Sequence, residues 1–290
     1  MNDRQSKLSP PGTLILGTLM AVLMLAGVLL TPARQALATE ANQPALIAII
    51  IDDLGNQLGA GRRAIALEAP LVCAVMPHTA FGRTLAREAH AAGKEVMMHL
   101  PMQPMQMERI AGPGEISLEN NMAQLRRILY NDLETVPHVV GINNHMGSLI
   151  TRHPGHMRWL MEALAARGDL FFVDSFTTSA SVAYEAALET GVPAARRHVF
   201  LDDDPAPEKI AAQFEQLKRQ ALSRGYAIGI GHPYDATLNM LEEVLPELQR
   251  NGKFKLVAVS HIVEQLETGE LQREFAPVPL SLTARRQGDL

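Results

Sequence analysis

Asp52 and Asp53 close the run IIIDDLG, Ile49 to Gly55. An apolar run that ends in two carboxylates and a glycine reads as a buried strand delivering acids to its C-terminal edge, with Gly55 free to turn sharply behind them. Successive strand residues point to opposite faces, so one acid can face a site while its neighbour faces elsewhere. Capping of the next helix by Asp53, with Asp52 in solvent, would explain the pair without chemistry. Other apolar runs end the same way. MMHLPM supplies His99, GINNHMGS supplies Asn143, Asn144 and His145, FFVDS supplies Asp174 and Ser175, and IGIGHPYD supplies His232 with Asp235 just after. The acidic run Asp202 to Asp204 precedes Pro205 and a helical pattern, where N-capping and the helix dipole account for it.

The chemistry such a set supports is metal-assisted hydrolysis. One carboxylate and two imidazoles make a three-ligand zinc set that leaves a position for water. Bound metal brings the water's pKa toward neutrality and polarises a carbonyl. A second, unligated carboxylate can take the water's proton, and an imidazole across the site can protonate the leaving group. The other histidines, His78, His90, His138, His153, His156, His198 and His261, fall at helix surfaces, turns or strand starts and are read as structural.

These residues need a scaffold that gathers strand ends. Short apolar runs alternate with helical stretches, the pattern of parallel strands with crossover helices. Strands are expected near 45–52, 71–77, 95–100, 138–144, 170–174, 198–202, 226–231 and 254–259. Seven or eight such units make an α/β fold, a distorted parallel (β/α) barrel, whose active site lies at the C-terminal strand ends. Gly93 and Gly168 suit helix C-caps, and Ile210, Phe214, Leu217 and Ala221 share one helix face before Gly225. Pro246 is expected to kink or end its helix. Residues 101–117, rich in Pro, Gly and Met, read as a long loop after the third strand, with Met102, Met105 and Met107, and Met98 just before, packing over something apolar.

Residues 13–30 form an uncharged apolar block behind Arg4 and Lys7, followed by Ala36-Leu37-Ala38. That is a secretory signal, or an uncleaved inner-membrane anchor given the block's length. Either places the remainder in the periplasm or cell envelope. The expected organisation is a signal peptide or anchor over 1–38, a linker over 39–44, one barrel domain over 45–265 and a partly disordered tail over 266–290. Of the 290 residues 47% are apolar and 20% charged, with a net charge of −5, so no nucleic-acid footprint exists. Cys73, the single cysteine, sits in the apolar run LVCAV and excludes both an internal disulfide and a thiolate metal cluster.

IIIDDLG, HLPMQP, GINNHMGS, FFVDS and IGIGHP, in that order and spacing, resemble the divergent polysaccharide deacetylase family, a remote branch of the carbohydrate esterase family 4 deacetylases. The resemblance covers residues 45 to 265. It implies a distorted (β/α) barrel that removes acetyl groups from an N-acetylated envelope glycan with a divalent metal, Zn²⁺ foremost. On this resemblance Asp52 is the base, Asp53 and His99 are ligands, His232 is the acid and Asp174 orients its imidazole. The parent family places a second histidine four residues after the first. Here that position is Gln103, and His145 is taken as the replacement ligand. The parent family's arginine-proline pair is also replaced, by Asn143, Asn144 and Gly147. Two other readings stand beside this one: an envelope binding protein that keeps the barrel without turnover, and a metal phosphoesterase, which would want more Lys or Arg at the strand ends. Sparse aromatics, 4% of residues, favour the binding protein.

Overall fold

The computed structural model describes residues 43–106 and 111–272. The expected leader over 1–38, most of the linker and the end of the tail lie outside the described residues. The run ALIAIIIDDL forms β1, Ala45–Leu54, because β-branched side chains fit a pleated strand buried on both faces. Ile47, Ile49, Ile50 and Ile51 are each fully buried, worth about 1.5–3 kcal/mol apiece against exposure.

Eight further strands follow: β2 (Val72–Val75), β3 (Glu95–Met102), β4 (Val139–Met146), β5 (Phe171–Asp174), β6 (Ala194–Arg196), β7 (Val199–Phe200), β8 (Tyr226–Gly231) and β9 (Phe254–Leu256). All pairings are parallel, and the continuous path runs β6-β5-β4-β3-β2-β1-β8-β7, with β9 joined to the start of β1. The ends of the path, β6 and β7, are consecutive in the chain yet unpaired among the described residues, so the curled sheet is a half-barrel open at that seam.

Among the described residues seven α-helices connect strands, α1 (Leu58–Ala66), α2 (Gly82–Ala91), α3 (Met122–Thr135), α4 (Pro154–Arg167), α5 (Ala183–Thr190), α6 (Pro207–Arg224) and α7 (Asp235–Arg250), and an eighth, α8 (Val259–Thr268), follows the last strand. Alternation along the strands divides the core in two. Ile47, Ile49, Ile51, Met98, Leu100, Ile142 and Phe172 pack with α2, α3, α4 and α6 on the outer face. Leu46, Ala48, Ile50, Met97, Phe171, Val173, Ala195, Ile228 and Ile230 form the inner face, together with Val259, Ile262, Val263 and Leu266 of α8. Because α8 touches both β1 and β6, five places apart in the sheet, it lies inside the curve and plugs it.

Several expectations change. Residues 194–196 form a strand that Pro193 and two arginines hide in the sequence. The last strand ends at Leu256, because α8 begins at Val259. Pro246 sits within α7, which continues to Arg250. The 101–117 stretch begins as strand: Met102 ends β3, is fully buried and bridges to Ile116, whereas Met105 is exposed and Met107 lies outside the described residues. Gly168 and Gly225 take the left-handed conformation as helix C-caps. Among the described residues no helix is long and apolar enough to cross a membrane.

Candidate metal centre and proton-transfer groups

The inner face carries the site. Asp52 continues the inward series Leu46, Ala48 and Ile50, His99 continues Met97, and His232 continues Ile228 and Ile230. Asn143 and His145 lie two apart on β4, in register with His99 and Pro101 of β3. Asp53 breaks the alternation. The β1–β2 register shifts between Ile51 and Leu54, and Asp53 adopts φ 57°, a left-handed conformation uncommon for a side-chain-bearing residue. This bulge brings both acids into the site instead of sending one to the far face. Gly55 follows at φ 133°, with Thr79 packed so close that a Cβ there would meet its hydroxyl.

Asp53, His99 and His145 each present one ligand atom, all within 4.8 Å of one another. Asp53 Oδ1 is 3.0 Å from His145 Nδ1 and 3.3 Å from His99 Nε2, and the two ring nitrogens are 3.1 Å apart. Despite those distances Asp53 Oδ1 is buried without a hydrogen bond of acceptable geometry. Asn143 explains part of this. Its Oδ1 accepts a hydrogen bond from His99 Nδ1 at 2.9 Å, the contact that would keep Nε2 turned toward Asp53 as a ligand atom once a cation is bound. An orphaned carboxylate oxygen among imidazole nitrogens fits a divalent cation at their centre. Burial opposes charge on Asp53, but the His145 and His99 rings outweigh it and hold its carboxyl well below the usual range.

Asp52 is almost fully buried. Its Oδ1 accepts from Asn143 Nδ2 at 2.9 Å, and its Oδ2 lies 3.5 Å from His99 Nε2. Burial raises its pKa even against the pull of His99 and His232, so it is a stronger base than a solvated aspartate. On the other side, His232 Nε2 stands 3.7 Å from Asp53 Oδ2. Burial lowers the His232 pKa, but the Asp202 hydrogen bond and the charges of Asp52 and Asp53 bring it up to about 9.

The carboxylate on His232 is Asp202, which corrects two expectations. Asp202 Oδ1 meets His232 Nδ1 at 2.9 Å, while Oδ2 accepts from the His232 backbone N–H and Thr237 Oγ1, both at 2.6 Å. Asp202 is therefore no helix cap. Helix α6 has Ala206 at its N-cap, and only Asp204 bonds nearby, accepting from Ala206 N at 3.1 Å. Asp174 does not reach His232. It shares the outward phase of Phe172 on β5, where it accepts from Phe176 N and Ser181 Oγ and sits 3.6 Å from Arg196. Burial raises its pKa against the Arg196 charge.

Gln103, where the parent family has its second histidine, is a structural residue. Its Oε1 accepts from Leu118 N at 2.9 Å, and its backbone bonds Ile116, Leu149 and Ile150, tying down the loop after β3. Asn144 points outward and accepts from Ser175 N. Asp235 lies in a salt bridge with Arg63 on the exposed α1–α7 face, outside the site. Of the histidines read as structural, His78 pairs with buried Asp132 at 2.7 Å, and burial pushes that acid up to about 7 against the His78 contact.

The family model for divergent polysaccharide deacetylases matches residues 49–263. The chain belongs to that family. An uncharacterised Escherichia coli protein, YibQ, is 36% identical over 202 residues, 70% of this chain and 63% of its own length, so the match spans less than two thirds of that relative. An uncharacterised Haemophilus influenzae protein is also 36% identical over 202 residues, 70% of this chain and 71% of that one. The fold is shared with the crystal structure of an uncharacterised Agrobacterium tumefaciens protein, at TM-score 0.72 and 19% identity, covering 76% of this chain and 89% of the other.

Proposed function

We propose that this chain is a metal-dependent deacetylase of an N-acetylated envelope glycan. The observation that carries the reading is the convergence of Asp53, His99 and His145 with a buried carboxylate on one side and a carboxylate-held imidazole on the other. Asp53, His99 and His145 would hold a divalent ion, Zn²⁺ by ligand type, which when bound polarises an amide carbonyl and acidifies water. Asp52 Oδ2 takes the proton of the attacking water, since Oδ1 is engaged by Asn143. The new C–O bond forms at the acetyl carbon and the C–N bond breaks. His232, protonated at neutral pH, gives its Nε2 proton to the departing nitrogen, releasing a sugar amine and acetate. Base and acid are thus segregated by their different partners, Asn143 on Asp52 and Asp202 on His232. The apolar segment 13–30 supports an envelope location for this activity.

Zinc-loaded protein incubated with acetylated envelope glycans tests the reading. Acetate release that depends on zinc and is lost in Asp52→Asn, with metal still bound, is the expected result. Metal-loaded wild type that releases no acetate from any acetylated glycan overturns it and leaves a binding protein.

A further inference from the structure

Beside the site lies a cleft of about 750 Å³, lined by Met105, Phe176, Arg197, Phe200, Thr177 and Asp203 among others. It adjoins the proton donor directly: the Phe200 ring is 5.3 Å from the His232 ring. Much of it is built by the segments that follow β5, β6 and β7, along the seam where the half-barrel is open. Its volume is that of a pocket for a ligand of several hundred daltons. Its aromatic and hydroxyl lining suits sugar rings, whose C–H faces stack and whose hydroxyls hydrogen-bond.

One residue in this lining has no equivalent role in the hydrolytic chemistry. Arg196 and Arg197 are adjacent in sequence, and strand alternation sends them to opposite faces. Arg196 points outward with Phe172 and Asp174, where it pairs with Glu185 at 2.8 Å. Arg197 follows inward-facing Ala195 and lines the cleft. It is half-buried with its guanidinium over the Phe200 ring, 4.9 Å from the centroid. Its Nε donates to Ser175 O at 2.6 Å and its Nη2 to Phe176 O at 2.9 Å. Both acceptors are neutral carbonyls that fix the guanidinium without cancelling its charge, and among the described residues Nη1 makes no hydrogen bond. Burial depresses the Arg197 pKa, partly offset by Asp174, Asp52 and Asp203, which marks a cation that gains from an added anion. Asp203 is exposed and therefore strongly screened.

Resting on the deacetylase reading, we infer that the cleft selects an N-acetylated glycan bearing a carboxylate on the sugar next to the one being deacetylated, and that Arg197 holds that carboxylate. A carboxylate fits better than a phosphate, because the Asp174 and Asp52 charges already act on the Arg197 guanidinium and would repel a dianion there more strongly.

The test compares two oligomers with zinc-loaded protein: a neutral N-acetylglucosamine tetramer and its counterpart with 3-O-lactyl carboxylates on alternate sugars. Calorimetric binding and acetate release are both measured. Wild type is expected to favour the anionic oligomer by about tenfold, the worth of one charge-assisted hydrogen bond. The preference should vanish in Arg197→Gln, persist in part in Arg197→Lys, and shrink as salt rises from about 0.05 to 0.5 M. Equal binding of the two oligomers by wild type overturns the inference, as does a preference that survives in folded Arg197→Gln. Should the Gln variant fail to fold, the Lys variant and the wild-type salt dependence decide. The two readings fail separately. Preferential binding without acetate release removes the hydrolase and keeps the anion site, whereas equal acetate release from both oligomers removes the anion site and keeps the hydrolase.

Discussion

His99 Nδ1 lies 2.9 Å from Asn143 Oδ1, and the same amide passes its Nδ2–H to Asp52 at 2.9 Å. One buried side chain thereby touches both the proposed metal ligand His99 and the proposed base Asp52, and would set the tautomer of the first and the orientation of the second. Asn143→Ala is expected to weaken zinc affinity by about 10–100-fold, the usual cost of losing a partner behind a ligand histidine. Asn143→Asp should separate the two roles. It still accepts from His99, so zinc stays bound, but it cannot donate to Asp52 and adds a negative charge beside it, so acetate release falls. Competition with a chromophoric chelator measures the first effect and initial rates the second. Unchanged zinc affinity in the Ala variant would remove Asn143 from this role.

How far the sequence reveals this site depends on one rule and its one exception. Alternation along strands, anchored on apolar neighbours, places Asp52, His99, His145 and His232 inward, and each was legible as a strand-end residue. The same rule, applied to Phe171 and Val173, sends Asp174 outward, so a motif resemblance that paired Asp174 with His232 misled where parity would not have. Asp202 was hidden by its neighbours: three consecutive aspartates before prolines look like a cap, and only the inward phase of Phe200 marks the first of them. Asp53 was singled out as a candidate ligand by resemblance alone. Its inward position needs a bulge with positive φ, which no periodicity predicts. The fold class was legible from the alternation of strands and helices. The open seam was not, since β6 is three residues long and carries an arginine.

Asp174 tests the corrected assignment. It is fully buried against Arg196, accepts two hydrogen bonds and braces the turn that carries Phe176. Asp174→Ala removes one partner of a buried pair, although Arg196 keeps Glu185, so the expected cost is about 3 kcal/mol. Thermal unfolding should then move down by about 6–12 °C for a domain of this size. The pH dependence of the remaining activity should stay where it is in wild type. A shifted alkaline limb in this variant would restore Asp174 as the partner of His232.

His145 and Gln103 make a paired prediction about the departure from the parent family. His145→Ala removes one of the three proposed ligands and is expected to abolish stoichiometric zinc binding. Gln103→Ala removes only the Leu118 hydrogen bond and should cost about 1 kcal/mol while leaving one zinc per chain. Metal analysis after dialysis, alongside denaturant unfolding, measures both. Zinc lost from the Gln103 variant but kept by the His145 variant would reverse the ligand assignment.

The Asp202–His232 contact predicts a pH profile. In the proposed mechanism His232 acts in its protonated form, and against burial the Asp202 hydrogen bond with the Asp52 and Asp53 charges pushes its pKa up to about 9, so acetate release should hold through neutral pH and fall as pH rises through that value. Asp202→Asn takes away the carboxylate charge behind His232 Nδ1 and leaves at most a neutral hydrogen bond, while Asp52 and Asp53 remain, so the alkaline limb should move toward neutral pH. Stability follows the same sign. The His232 pKa is raised above its ordinary 6.5, so its contribution is full below that value and fades as pH climbs through about 9. Wild type should therefore lose stability over that interval more steeply than Asp202→Asn, which can be read from unfolding midpoints at several pH values. An alkaline limb that stays in place in Asp202→Asn would show that His232 is not the proton donor.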